Sequence, residues 1–122
     1  MPRFGELESA IMDQLWRSEK PLLVREVLDG LDRGLAYNTV QTVTEILYRK
    51  GWLTKERDGR AFRYTPAAGR EKYVAGLVAE ALSLTEDRSA ALVGFVEGIG
   101  PEEAAELRRL LDTAAGDAGV KP

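Results

Sequence analysis

The chain contains no cysteine and no histidine. The first absence excludes a disulfide framework, a thiol nucleophile and thiolate metal sites. The second removes imidazole acid–base catalysis and the usual zinc, copper and iron ligand sets. Only hard oxygen ligands remain, so neither a metal nor a cofactor is expected. No stretch approaches roughly 18 uninterrupted apolar residues, which excludes a membrane-spanning helix. Residues Met1 to Glu8 lack the apolar run of a signal peptide. Gly-rich phosphate loops are missing, and the carboxylate pairs Glu6/Glu8 and Glu102/Glu103 sit too close along the chain to converge on one site. The expectation is a soluble, cytoplasmic chain that is not an enzyme.

What is present is an ordinary globular balance over 122 residues, 44% hydrophobic and 30% charged. That length suits one compact domain, whereas two halves of about 60 residues would each be marginal alone. The net charge of −3 argues at first against a nucleic-acid partner, but it is unevenly spread. Residues 1–66 carry 11 Lys/Arg against 10 Asp/Glu, and residues 67–122 carry 6 against 10. Between Arg49 and Arg63 six cations (Arg49, Lys50, Lys55, Arg57, Arg60, Arg63) face only Glu56 and Asp58. Such a local patch, rather than the whole-molecule charge, displaces counterions from a phosphate backbone. A solvated surface hairpin has the same composition, so the cluster alone does not decide.

Apolar residues recur at helical spacing over Gly5–Arg17 (Leu7, Ala10, Ile11, Leu15, Trp16), and Pro21 ends that segment. Leu22-Leu23 is long enough only for a short β-bridge. A second helix is predicted over Val24–Leu31, then a turn at Asp32-Arg33-Gly34-Leu35. A third spans Asn38–Lys50, with Asn38 and Gln41 read as a capping box and Gly51 as the stop. Its core stripe is Val40, Val43 and Leu47, with Thr44 and Ile46 at the edges. The opposite face carries Asn38, Gln41, Thr42, Glu45 and Arg49.

The period then changes. Trp52–Arg57 and Ala61–Thr65 read as strands joined at Asp58-Gly59-Arg60, with Asp-Gly supplying the positive φ of a tight hairpin. Three helices and a basic hairpin form a winged helix-turn-helix in residues 1–66. The rest is predicted helical over Gly69–Leu84, Arg88–Ile99 and Pro101 to about Ala115, with a frayed tail from Gly116 to Pro122. The fold class is mainly α with a small β-hairpin wing, and 67–122 are read as a helical dimerisation domain. Its apolar residues, Tyr73, Leu77, Leu92, Phe95, Val96, Leu107, Leu110 and Leu111, exceed what three short helices hide alone, which points to a homodimer.

A recognition helix needs short polar side chains on one face, within reach of base edges in the major groove. Gln41 and Thr42 fit, while Asn38 is ambiguous because a capping side chain is less free. Arg49, Lys50, Lys55, Arg57, Arg60 and Arg63 suit phosphate contacts, with a merely solvated cation as the alternative for each and for Lys55 and Arg63 above all, and Arg60 by the turn suits a minor groove as an alternative. Glu45 on the same face is the exception, fit to accept from a cytosine amine or to repel a phosphate. Trp16, Trp52, Phe62 and Tyr64 read as core rather than as stacking platforms.

These residues resemble a known family. Gly5-Glu6-Leu7-Glu8, Ile11-Met12, Leu15-Trp16, Val24-Arg25-Glu26-Val27, Leu35-Ala36-Tyr37-Asn38-Thr39-Val40-Gln41-Thr42-Val43, Arg49-Lys50-Gly51-Trp52-Leu53 and Arg60-Ala61-Phe62-Arg63-Tyr64-Thr65-Pro66 are similar to the penicillinase-repressor (BlaI/MecI/CopY) family of winged-helix transcriptional regulators. Ala91 to Glu97 and Glu106 to Leu111 resemble its dimerisation segment. The resemblance implies a homodimeric repressor on a palindromic double-stranded operator, often controlling β-lactam resistance. It adds Thr39 to the DNA-facing residues. It further implies a membrane sensor-protease system and cleavage within the dimerisation segment, which falls at Gly94-Phe95 here. Gly94 stands where the best-known members carry Asn, and Thr44 and Ile46 stand where Leu and Arg are common. The absence of a Cys-rich C-terminus disfavours copper control. A rival reading is a winged-helix protein-interaction module without a DNA-binding role, favoured slightly by the net acidity and by Glu45.

Overall fold

The computed structural model describes residues 3–31 and 34–120, with the backbone alone for 116–120. Six helices and one small sheet follow one another as α1 (Glu6–Arg17), β1 (Leu22–Leu23), α2 (Val24–Gly30), α3 (Tyr37–Arg49), β2 (Leu53–Asp58), β3 (Ala61–Pro66), α4 (Arg70–Leu82), α5 (Arg88–Gly98) and α6 (Pro101–Val120). The chain divides into two compact units, residues 1–80 and 81–122. The unit holding the winged helix therefore runs past Pro66 and includes most of α4. Asp32 and Arg33 of the expected turn, and Lys121 and Pro122 of the expected tail, lie outside the described residues.

The first unit is built on one apolar cluster. Ile11, Met12 and Leu15 of α1 meet Val24 and Val27 of α2, Val40 and Leu47 of α3, Leu53 of β2 and Tyr64 of β3. Thr44 is fully buried among them, not at the edge of the stripe as its polarity suggested. It occupies the i+4 position between Val40 and Leu47, so the helix period places it inward. Its hydroxyl donates to the Val40 carbonyl at 2.7 Å, which satisfies that buried polar group.

The helix ends are fixed locally. The Gly5 N–H donates to the Glu8 carboxylate and the Leu23 N–H to that of Glu26, both at 2.9 Å. For α3 the expectation fails: Ala36 is the N-cap, without a side-chain cap, and the helix starts at Tyr37. Asn38 is therefore inside the first turn and exposed, not engaged as a cap. The other end closes as expected. Gly51 takes φ +89°, its N–H donates to Tyr48 O, and the Trp52 N–H donates to Leu47 O. These are the two bonds of a Schellman motif, and they turn the chain directly into β2.

The sheet order is β1-β3-β2, all antiparallel. Asp58 pairs with Ala61, so the hairpin loop is Gly59-Arg60. Of that pair Gly59 alone has positive φ, at +65°, the pattern of a type II′ turn with Gly first. Asp58 thus belongs to the strand, and the turn falls one position later than the Asp-Gly signal implies. In the second unit α6 extends to Val120, further than expected. Asp87 caps α5 by accepting from the Ala90 N–H at 3.0 Å.

Candidate nucleic-acid interface

The helix-turn-helix pair is α2 and α3. With Val40, Thr44 and Leu47 turned inward, the period leaves Asn38, Thr39, Gln41, Thr42 and Arg49 exposed on the opposite side of α3. That face and the hairpin enclose a groove of about 560 Å³ lined by Gln41, Thr42, Glu45, Ile46, Arg49, Lys55, Phe62 and Tyr64. The groove thus combines amide, hydroxyl and cationic groups with one exposed apolar side chain, Ile46.

The six cations expected at phosphates divide by what holds them. Arg49 is exposed at the end of α3, and Lys50 beside it lies 3.5 Å from Glu8. Arg60, at the hairpin tip, forms no ion pair or hydrogen bond among the described residues. Arg57 is exposed and donates only to the Gly59 carbonyl, with its guanidinium 5.6 Å from the Phe62 ring. Lys55 and Arg63 are engaged internally. Lys55 Nζ is 3.0 Å from Glu45 Oε1 and lies over the Tyr48 and Phe62 rings. Arg63 reaches Asp58 at 2.7 Å, Glu26 at 3.0 Å and the Pro21 carbonyl.

These pairs set the local electrostatics. The hydrogen bond from Lys55 holds the Glu45 carboxyl below the usual carboxylate range, against the opposing pull of burial. The Leu23 backbone N–H, with Arg63 nearby, does the same for Glu26. Burial, with the Glu45 carboxylate beside it, pushes the Tyr64 phenol up to about 12. Glu45 is therefore a carboxylate paired with Lys55 and turned to the wing, not an unpaired anion on the reading face.

Arg25 escaped the sequence reading. It is exposed in the first turn of α2, with its guanidinium 5.4 Å from the centre of the Tyr37 ring at the start of α3. The signal was available, since Val24, Val27 and Leu28 face the core and leave Arg25 outward. Trp16 and Trp52 are half-buried in an aromatic cluster with Phe4 and Tyr73, and Phe62 is half-buried under the wing cations. Tyr73 thus packs within the first unit. Leu77 is half-buried on the same helix.

In the second unit, Leu92, Phe95 and Val96 of α5 and Leu110 and Leu111 of α6 are about half exposed, and Leu107 is half-buried. Phe95, Ile99, Leu107 and Leu110 line an apolar groove of about 380 Å³ rimmed by Glu102, Glu103 and Glu106. Gly94 and Phe95 lie within α5, both exposed. No group of His, Cys, Asp or Glu among the described residues is arranged to hold a metal. No helix among them is long and apolar enough to cross a membrane.

Three helices, a cationic hairpin and a polar outward face on the third helix define a winged helix-turn-helix. Comparison with known proteins gives the family. A family model described as penicillinase repressor matches residues 4–113, and the chain belongs to that family. It is 46% identical to the transcriptional regulator BlaI of two Mycobacterium tuberculosis strains, over all of this chain and 92% of theirs. A solution structure of the DNA-binding domain of the repressor BlaI matches 59% of this chain and 89% of its own, at 28% identity and TM-score 0.52. A transcriptional regulator from Thermotoga maritima shares the fold over 92% of this chain and 74% of its own, at 21% identity and TM-score 0.50. The family and the BlaI relatives place the chain among transcriptional regulators and not among enzymes.

Proposed function

We propose that the protein is a DNA-binding transcriptional repressor that grips a palindromic operator as a homodimer. Family membership carries the repressor assignment, and the exposed polar face of α3 beside the cationic hairpin supports the docking mode. Gln41 and Thr42, with Asn38 and Thr39, face base edges in the major groove. Arg49, Lys50, Arg57 and Arg60 meet phosphates, which position the protein without specifying sequence. The half-exposed apolar residues of α5 and α6 support pairing of two copies, each bringing one winged helix to one half-site. Linking two half-sites raises affinity through effective concentration, so loss of the dimer releases the operator.

The regulated genes on this reading are those of the antibiotic response, and the protein acts in the cytoplasm. The signal comes from a membrane sensor-protease system, with cleavage at Gly94-Phe95. Support for that site is its exposure on α5 and the missing side chain at Gly94, which lowers the cost of unwinding the helix there. The rival protein-interaction reading drew on Glu45 as a free acidic group on the reading face, and its pairing with Lys55 removes that support.

The test is a fluorescence-anisotropy titration of a duplex from the promoter region of its own gene at increasing salt. The logarithm of affinity falls linearly with the logarithm of salt, and Arg57→Ala plus Arg60→Ala makes the slope shallower. A flat dependence, or binding untouched by the double substitution, contradicts the proposal.

A further inference from the structure

Lys55 and Tyr64 are direct partners across the β2–β3 ladder, so both side chains leave the sheet on one face. That face looks onto α3, where Glu45 receives them together. Lys55 Nζ donates to Oε1 at 3.0 Å and to Oε2 at 3.3 Å, and the Tyr64 hydroxyl donates to Oε2 at 3.0 Å. The ammonium is also covered by two rings, 4.3 Å from the centre of Tyr48 on α3 and 4.4 Å from that of Phe62 on β3. Its side chain is only 18% exposed. Arg63 follows Phe62 and precedes Tyr64, so it leaves β3 on the other face, as alternate strand residues do. There it ties the hairpin to Glu26 of α2 and to the Pro21 carbonyl before β1. The wing is held from both sides.

We propose that Glu45 is a positioning residue for DNA binding: its carboxylate, shared by Lys55 and Tyr64, fixes the wing against the reading helix. The wing's cations then divide into two anchors, Lys55 and Arg63, and two phosphate contacts, Arg57 and Arg60. The inference rests on the DNA-binding reading above. It reassigns Lys55 and Arg63, which composition alone had placed with the phosphate contacts. A cation already paired and covered gains little by moving to a phosphate, because it leaves a carboxylate unpaired in a half-buried site. The loss of Glu45 or Lys55 acts on affinity through the setting of the wing, and so scales all sequences and all salt concentrations alike.

The experiment uses a duplex selected by the wild-type chain from a random-sequence pool, with affinity measured from about 50 to about 200 mM salt. Arg57→Met and Arg60→Met each make the log–log slope shallower by about 0.9, one phosphate contact apiece. Lys55→Met and Glu45→Gln weaken binding several-fold on a line parallel to wild type, and the double substitution is no weaker than Lys55→Met alone. Where Lys55→Met melts too low to measure, Lys55→Gln takes its place. A slope change for Lys55→Met equal to that of Arg60→Met overturns the proposal. So does relaxed preference at a single base pair in Glu45→Gln, which makes Glu45 a base reader. If the wild type retains no duplex at all, the DNA-binding reading falls, and the clamp is judged by tyrosine absorbance instead. Glu45→Gln then brings the Tyr64 phenol, assigned by its loss in Tyr64→Phe, back toward the ordinary range, and an unmoved titration contradicts the clamp.

Discussion

Phe4 and Tyr73 stack face to face, with ring centres 4.2 Å apart and planes 6° from parallel, across 69 residues of sequence. The Tyr73 hydroxyl accepts the Phe4 backbone N–H at 2.9 Å, and Trp52 meets both rings edge-on. Arg70, one turn before Tyr73, pairs with Asp13 and covers Trp16, whose indole N–H donates to the Ala68 carbonyl. The start of α4 is thereby fastened to the winged helix. Tyr73→Ala is expected to cost about 2–4 kcal/mol, below the roughly 3–5 kcal/mol of a fully buried ring because Tyr73 is half-buried. Tyr73→Phe, which loses one hydrogen bond, costs about 1 kcal/mol. Urea denaturation followed by tryptophan fluorescence measures both. Wild-type stability in Tyr73→Ala restricts this side chain to contacts with a second chain.

Thr44 is buried with its hydroxyl satisfied inside its own helix. Thr44→Val keeps the shape and removes only a bond to a carbonyl that the helix already uses, so it shifts stability by less than about 1 kcal/mol. Thr44→Leu forces added volume into a filled core and costs about 1–3 kcal/mol. Thermal melts order the three proteins, and equal melting of all three contradicts the burial.

The Tyr64 phenol, raised from 10.0 to about 12, is neutral in the folded chain where an unfolded chain already ionises it. Its contribution to stability is complete below pH 10 and is lost as pH rises toward 12. The lowered carboxyls of Glu26 and Glu45 act in the opposite direction. Their contribution is present above the ordinary carboxylate range and disappears as pH falls through it. Tyr64→Phe therefore flattens the alkaline limb of the stability profile, and it weakens the acid limb only in part, because the Tyr64 hydroxyl is one of the donors that lower Glu45 while Glu26 and the Lys55 hydrogen bond are untouched. Loss of stability between these pH values that is identical in Tyr64→Phe contradicts the assignment.

Pairing of two copies through α5 and α6 predicts a dimer in sedimentation velocity. Leu110→Asp, placed among half-exposed apolar residues and next to the Glu106 rim, shifts the chain toward monomer. The same substitution at Thr65, on the outward side of β3, leaves the dimer intact. A dimer that persists in Leu110→Asp places the contact elsewhere.

Periodicity made the three-helix core, the Gly51 stop and the hairpin legible, because each follows from local chemistry. Two of the differences have causes in the residues themselves. The polarity of Thr44 suggests the edge of the stripe, whereas its spacing puts it inside, where it is buried. Asn38 was read as a cap although α3 begins one residue earlier, at Tyr37. The cations of the wing could be counted but not sorted. Their partners, Glu45 on α3 and Glu26 on α2, lie 10 and 37 residues away and meet them only in the fold. Tyr73 had the spacing of a dimer residue, and only the tertiary structure brings Phe4 to it.

In the proposed function the outward face of α3 reads bases. The direct measurement is the ratio of affinities for a selected duplex and a scrambled one, for wild type, Gln41→Ala and Thr42→Ala. Each lost base contact lowers the ratio by about 1–3 kcal/mol, while affinity for scrambled DNA stays near wild type. An unchanged ratio in both variants, with equal losses on both duplexes, contradicts the account.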